Sequence, residues 1–548
     1  MPGTKRRTGL WIGLGIFLTI LLAWQFYKYK IANKSIHKAV SEKSKGLYSI
    51  RYDSLLIDEV GGALHVKNVE IRPDTAVYRQ LMEEGTQPSV LLTLTIPQLD
   101  ITGVKTPKAL LNKEIEGGKI RIVDPIIEVE LDEISKDSTL SNPGKEVYKE
   151  LLGKLLKIKM DSVEVVHANL LVKHRVSGKM AFKGLNVSIL LSDLSIDSIA
   201  DKDSSRILFS RDLELAGDEL ELPSKNKRYR MQVEKLHFTS RNNSFYLGTF
   251  KVIPQLPEEE FAASFPTQKD RYDFTMEGIS LLHIDRESLW NKSIEADSLI
   301  IHKSAFRIYH DLSFPRDTVS KVGKYPQQQL MHIPFPLLIR KVIFEQSFIE
   351  YKEKNPKSGE AGKLQFYDAQ AAIDNVTNRK SAISRNNRCS LLFSAKFLDK
   401  APVHARLVML LRDPHGRFTI TGGLGHISVL SLNPLTMPMG LARMEKGEIH
   451  SMNFDIKGDD SSGMGKVTVV YDDLKVALLK KDKEEDKYDK KGLTSLFSNI
   501  FIKNSNPGKN EKIRVADVQY ERALNRSFFS LIWKSIFTGV KQNVGIKK

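Results

Sequence analysis

The chain carries a single cysteine, Cys389, in 548 residues, so it can form no intrachain disulfide and no paired-cysteine metal site. That excludes a disulfide scaffold and leaves the compartment open. Acidic residues are outnumbered: 66 Asp plus Glu stand against 83 Lys plus Arg, a formal charge of +17. Such an excess suits an anionic partner, either nucleic acid or phospholipid head groups. The bases are interleaved with acids, as in KDKEEDKYDKK (Lys481–Lys491), which reads as a solvated linker, so no nucleic-acid partner is expected.

Catalytic motifs are missing as well. There is no HExxH and no GxSxG. SSGMGKVT (Ser461–Thr468) imitates a phosphate loop, but Asp460 stands where that motif needs glycine. His167, His174, His302 and His310 fall on expected strands. The positions matching His167 and His174 in a later repeat are Gln346 and Glu353, so these histidines read as solvent-facing side chains and not as ligands. Asp459 and Asp460 suggest a turn whose spacing fails a calcium loop. The expected catalytic, cofactor-binding and metal residues are therefore none.

Long apolar runs are scarce too, with one exception. Thr8–Tyr27, TGLWIGLGIFLTILLAWQFY, is 20 residues without a charge. As a helix it would be roughly 30 Å long, about one bilayer core. Trp11, Trp24, Phe26 and Tyr27 sit towards its ends, where aromatic belts form. A cleaved signal peptide is the rival reading, but LLAWQFYKYK offers no small-residue cleavage site. A single-pass anchor is expected, with Met1–Arg7 cytoplasmic and the body exported. Lysines and arginines flank both sides, so orientation rests on the large body behind a short head.

What the chain does have is hydrophobic residues, 41%, enough for a folded core, and a repeated passage. LLNKEIEGGKIRIVDPIIEVEL (Leu110–Leu131) returns as LWNKSIEADSLIIHKSAFRIYH (Leu289–His310). Leu110 and Leu289, Asn112 and Asn291, Ile120 and Leu299, and Val129 and Ile308 each lie 179 positions apart. The same offset pairs Ser162–His174 with Lys341–Glu353. Upstream, at an offset of 181, Ala63–Pro73 meets Ser244–Pro254 and Tyr52–Ile57 meets Val233–Phe238. A weaker third echo runs from Arg417–Leu435 to Lys446–Gly458. Repeats on this scale imply an elongated array in which each unit covers the next.

Within each repeat the apolar residues alternate, the signature of a strand with one apolar face. Ile120, Ile122, Ile127 and Val129 do so, then Val163, Val165, Leu170 and Val172. The second copy gives Leu299, Ile301, Phe306 and Ile308, then Val342 and Phe344. The phase slips once in each strand, at VDPI, VHAN, HKSA and EQSF, where a bulge or tight turn is expected. Short helices are expected near Ala76–Met82 and Lys108–Asn112 and over Lys145–Leu156. The predicted fold class is mainly β: one N-terminal transmembrane helix, then an elongated, curled antiparallel β-sheet groove built from duplicated modules, with short C-terminal amphipathic helices. A second sheet could cover the apolar face and give a sandwich. A lipid acyl chain could cover it and give a groove, in which case the fourteen alternating residues just named line it.

GEIHSMNFDIKGDDSSGMGKVTVVYDDLKVALL (Gly447–Leu479) resembles the C-terminal part of AsmA-like proteins. Gly447, Ile449, Met452 and Phe454 fill the strand pattern G-x-I-x-x-M-x-F. Gly465, Val467, Val469, Tyr471, Asp473, Leu474, Lys475 and Val476 fill the pattern that follows it. The anchor followed at once by β modules is similar to the same family, which includes TamB-like relatives. The resemblance implies an inner-membrane protein with a periplasmic body, not an enzyme, whose β-groove carries phospholipid towards the outer membrane in envelope biogenesis. About 25 strands at about 4.8 Å give an axis of roughly 120 Å. That is short of a full periplasm, so a further outer-membrane or periplasmic protein partner is expected at the C-terminal end. The alternative is an envelope scaffold that binds proteins and transports nothing.

The expected divisions are 1–30, head and anchor; 31–175, module 1; 176–230, connecting β segment; 231–354, module 2; 355–480, the AsmA-like module; and 481–548, the linker and the C-terminal helices and strand. In RSFFSLIWKSIFTGVKQ (Arg526–Gln542), Phe529, Ile532, Trp533, Ile536, Phe537 and Val540 fall on one helical face. Such a helix lies in a membrane interface or caps the sheet. Leu493–Ile502 reads as a second one, with a strand between them over Lys512–Ala523.

Overall fold

The computed structural model describes residues 40–41, 44–58, 60–105, 114–132, 156–224, 226–480, 494–495 and 502–546. The expected anchor with Trp11, Trp24, Phe26 and Tyr27 lies outside them. So do the helix at Lys108–Asn112, nearly all of Lys145–Leu156 and of Leu493–Ile502, and the run Lys481–Lys491. Among the described residues no helix is long and apolar enough to cross a membrane. The chain divides into two compact units: residues 1–250 with 283–291, and residues 251–282 with 292–548.

The first unit is a mixed sheet. Its strands are β1 (Tyr48–Arg51), β2 (Ser54–Asp58), β3 (Ala63–Pro73), β4 (Val90–Thr102), β5 (Glu114–Val123), β6 (Ile126–Leu131), β7 (Lys157–His174), β8 (Met180–Ile196), β9 (Ser210–Pro223) and β10 (Tyr229–Thr239). β1 and β2 pair antiparallel with the two halves of β3, and β3 with β4. β4 pairs with both β5 and β6, which form one line broken at Asp124–Pro125. β5 and β6 then run parallel to β7, and β8, β9 and β10 follow antiparallel. A nine-residue helix, Thr75–Glu83, stands where one was expected. Asp74 caps it by accepting from the N–H groups of Ala76 and Val77.

Bulges sit where the alternation slips. Asn68 on β3, Asp124 at the break between β5 and β6, His167 on β7 and Asn186 on β8 have φ of 52°, 51°, 53° and 51°. Asn, Asp and His tolerate this left-handed region better than β-branched residues do. The β7–β8 register shifts between Val165 and Ala168. A bulge lets the apolar side chains on either side of the slip return to one face, and it sharpens the local twist.

The second unit is also mixed. Strand β11 (Ser244–Pro254) straddles the division. There follow β12 (Arg271–Leu282), β13 (Ile294–Asp311), β14 (Leu337–Lys354), β15 (Ala361–Thr377), β16 (Arg388–Phe397), β17 (Ala401–Leu410), β18 (Phe418–Leu424), β19 (Ile427–Ser428), β20 (Ala442–Gly458), β21 (Ser462–Lys480), β22 (Thr494–Ser495) and β23 (Ala516–Glu521). β13 and β14 are parallel; every other pairing from β12 to β23 is antiparallel. The repeated passages therefore occupy matching places. Ile120 lies beside Val163 on β5 and β7, and Leu299 beside Val342 on β13 and β14. The sheets are mixed, not antiparallel throughout as the alternation suggested. Period two is the same for both kinds of ladder.

The third echo departs from the first two. β20 and β21 form an antiparallel hairpin, turned at Asp459, whose carboxylate accepts from the N–H groups of Ser461 and Ser462. The stretch resembling AsmA-like proteins is this hairpin, with Phe454 opposite Val467 and Ile449 opposite Tyr471.

Two covers lie on the sheet of the second unit. The terminal helix Phe528–Asn543 packs on β20, β21 and β23. Gly539 and Gly463 let it approach: a Cβ on Gly539 would stand 2.4 Å from Val467 Cβ, and one on Gly463 2.3 Å from Ser535 Oγ. Beside it Tyr325 is fully buried, its ring 4.8 Å from that of Phe528, with the Arg522 guanidinium 4.6 Å from its centroid. Burial pushes the Tyr325 hydroxyl up to about 12. On the same face, towards the other end of the strands, the short helix Asn433–Gly440 packs on β14, β15 and β20. Its Leu435 joins Phe397, Ala401 and Ile427 in a separate small core.

Candidate functional site

The alternating residues that the sequence marks as a ligand track differ between the two units. In the first unit all eight are filled in. Ile120, Ile122, Ile127, Val129, Val163, Val165, Leu170 and Val172 are at most 5% exposed. They pack in one cluster with Leu64, Leu94, Leu99 and Phe182. That packing leaves these eight little surface for a ligand. Their surface is already taken by the protein's own side chains, at close to crystal density.

In the second unit the same positions divide. Ile301 and Val342 are 2% and 6% exposed, while Leu299, Phe306, Ile308 and Phe344 are only half-buried. Phe306 touches Phe274 and Phe344, with ring centroids 5.3 Å and 5.9 Å apart. Phe366 touches Phe393 at 5.8 Å. A strip of half-buried aromatic rings thus crosses β12 to β16.

The strip leads into an open trough of about 960 Å³. Its floor follows one row across the sheet. Phe344 on β14 is opposite Ala371 on β15, which is opposite Phe393 on β16, and that in turn is opposite Ala405 on β17. Ala405 is opposite Gly422 on β18, and Gly422 opposite Phe454 on β20. Directly opposed residues point to the same face. Bulky and small residues therefore share one line: Ala371 and Ala405 leave hollows, while the space over Gly422 is taken by the Phe454 ring. The row lies between the two covered ends: the next residues along, Leu407, Ile420 and Ile456, belong to the core under the terminal helix. Val403 and Leu424, on the other side, pack with the small core under Asn433–Gly440.

The outward face is polar at the same level. His302 Nδ1 is 2.6 Å from a Glu345 carboxylate oxygen, both exposed, at the bulge between the two apolar halves of β13 and β14. His167 is exposed and 3.4 Å from Asp124. His310 differs from its expected place in solvent. Its side chain is 13% exposed and 2.8 Å from Asp270, because the pairing of Arg271 with Tyr309 sets Asp270 opposite it across the strands. Burial raises the Asp270 carboxyl, but the hydrogen bond and charge of His310 outweigh it and hold the group below its ordinary value. Burial, then Glu353, push the Tyr351 hydroxyl well above its usual value. Among the described residues no group of three or more His, Cys, Asp or Glu is placed to hold a metal ion.

The terminal helix was expected to bury or immerse a face of Phe529, Ile532, Trp533, Ile536, Phe537 and Val540. The structure splits that face. Ile532 and Ile536 are buried with Leu531, Ser535 and Gly539, and Val540 is half-buried. Phe529, Trp533 and Phe537 are exposed. Small residues, not only apolar ones, define the packed side, and helical spacing of apolar residues alone does not show that.

Ala371, Phe393, Ala405 and Gly422 were not singled out by sequence. Their meaning comes from register across six strands, and no pattern within a single strand carries it. The chain matches no protein-family model and no curated protein.

Proposed function

We propose that the second unit binds the acyl chain of a phospholipid along the row from Phe344 to Phe454, and that the chain acts as a lipid carrier of the AsmA-like kind and not as an enzyme. The observation that carries this reading is the row itself: half-buried Phe344 and Phe393 with Ala371 and Ala405 beside them, open between two covered ends and closed at β20 by the buried Phe454 over Gly422. Crossing from β14 to β20 over β15 to β18 takes five strand spacings, about 24 Å, close to one extended long-chain tail. Each methylene laid against such a floor contributes about 0.8 kcal/mol when fully buried. An inner-membrane anchor at Thr8–Tyr27, with the body in the periplasm, would place this trough beside its lipid source. The same reading makes inner membrane, phospholipid and a protein at the far end its partners.

A scaffold is the second reading, and the filled core of the first unit favours it for that half of the chain. The test is a photoreactive phenylalanine placed at Phe393 and, separately, at Ile122, in full-length protein made in cells. Lipid adducts at Phe393 and none at Ile122 support the carrier. No lipid adduct at Phe393 when the protein is folded hands the case to the scaffold.

A further inference from the structure

The terminal helix Phe528–Asn543 is anchored to the sheet by one side and leaves an aromatic stripe on the other. Phe529, Trp533 and Phe537 are 70%, 42% and 41% exposed. They recur every fourth residue, so they form one row along the helix. The Trp533 and Phe537 rings are stacked with centroids 6.0 Å apart, and Lys541 Nζ lies 5.6 Å from the Phe537 centroid. Lys534 is exposed beside the row. The helix does not need these rings for its seat, because Leu531, Ile532, Ser535, Ile536 and Gly539 supply it.

The charge along the chain at the stripe has one sign. From Arg522 to Lys548 the sequence holds no Asp or Glu, while Lys534, Lys541, Lys547 and Lys548 are all basic. An acidic or neutral protein groove would take three large rings, but it would not require this stretch to be free of acids. We propose that the stripe docks this end of the chain on an anionic phospholipid bilayer. The rings would enter the boundary between head groups and acyl chains, and the lysines would stay with the phosphates. Trp and Phe are suited to that depth, and lysine stems reach back to the polar surface. Each lysine near an anionic surface adds attraction that fades with salt. This inference is independent of the trough: it uses a different face and different residues.

The test uses full-length protein with vesicles and an environment-sensitive fluorophore attached at Phe529→Cys. The background is Cys389→Ala, so that only the stripe is labelled. The rest of the chain can contact lipid without affecting a probe at that position. With vesicles containing phosphatidylglycerol, the probe is expected to shift to the blue and to be quenched by spin-labelled lipid. With phosphatidylcholine alone it should stay accessible to iodide. Adding Lys534→Gln and Lys541→Gln should weaken binding about thirtyfold, at about 1 kcal/mol for each lysine. Adding Trp533→Ser and Phe537→Ser should abolish the lipid quenching. All four positions lie on the side away from the helix's packed face, so far-ultraviolet circular dichroism and the thermal midpoint should be unchanged. Equal quenching with both lipids, or iodide access with both, overturns the proposal.

Discussion

Gly422 lies opposite Phe454, and a Cβ on the glycine would stand 2.6 Å from the tip of that ring and 2.4 Å from the His404 carbonyl oxygen. The phenylalanine therefore occupies the space that a side chain at 422 would fill, in the manner of an aromatic ring covering a strand glycine. Gly422→Ala is expected to destabilise the second unit by about 1–3 kcal/mol, because a backbone oxygen must move. Chemical denaturation checks it, and an unchanged midpoint would show that the ring does not fill that space.

The two units should respond in opposite ways to a charge on the apolar face. Ile122 is fully buried, so Ile122→Asp puts a carboxylate where nothing can pair with it, and the expected cost is several kcal/mol. Phe393 is half-buried at the trough, where an aspartate reaches water, so Phe393→Asp is expected to cost about 1–2 kcal/mol. Thermal melts of the two variants decide the matter. Equal losses would mean that the trough is sealed.

Cys389 is 3% exposed, and its thiol is pushed up to about 11 by burial, with the Asp374 carboxylate adding to it. The thiolate is the reactive form. A thiol reagent at pH 8 should leave the native protein unlabelled and modify its one cysteine after denaturation. Rapid labelling of the native protein would contradict the packing around β16.

Asp413 receives hydrogen bonds from the Arg417 guanidinium and from the N–H groups of His415 and Arg417. The Arg417 bond outweighs the opposing effect of burial, so the carboxyl is held below its ordinary value. A lowered folded value means that the stabilisation is complete above the unfolded value of about 3.9 and is lost as pH falls through the folded one. Asp413→Asn should cost about 1 kcal/mol at pH 7, since Arg417 is solvent-facing. The difference from wild type should shrink as pH falls below about 4 and vanish in stronger acid. A pH-independent difference would place the effect elsewhere in the turn.

Much of this was legible in the sequence, and the reasons are local. Alternation reports one apolar face, so the strands through Ile120, Val163, Leu299 and Val342 could be read directly. A slip in phase costs one residue, so the bulges at Asp124 and His167 could be read too. Strand direction could not be, because a ladder's hydrogen-bond pattern leaves no trace in side-chain period. A signal was nonetheless present. About two dozen residues separate Leu131 from Lys157 and Asp311 from Leu337, far more than a hairpin needs. Whether the apolar face is filled was also beyond reach. Val163 and Val342 look alike in sequence, and what distinguishes the surroundings of Ile122 from those of Phe344 is the set of neighbours brought by other strands.

The parallel pairing also bears on how the chain is made. Ser304 and Ser347, whose hydroxyls share a hydrogen bond at 2.7 Å, are 43 residues apart. β12 and β13 can pair soon after they emerge from the ribosome, but β14 cannot join them until the connection behind β13 is complete. At ordinary elongation rates that interval is roughly 2–9 seconds. Throughout it β13 presents an unpaired row of backbone donors and acceptors, an edge that any other nascent strand can capture. The outward residues of β13 near its middle are His302 and Lys303, both exposed. Polar and charged side chains of this kind on a waiting edge disfavour such capture, so they protect the chain during synthesis, before β14 brings Glu345 to His302.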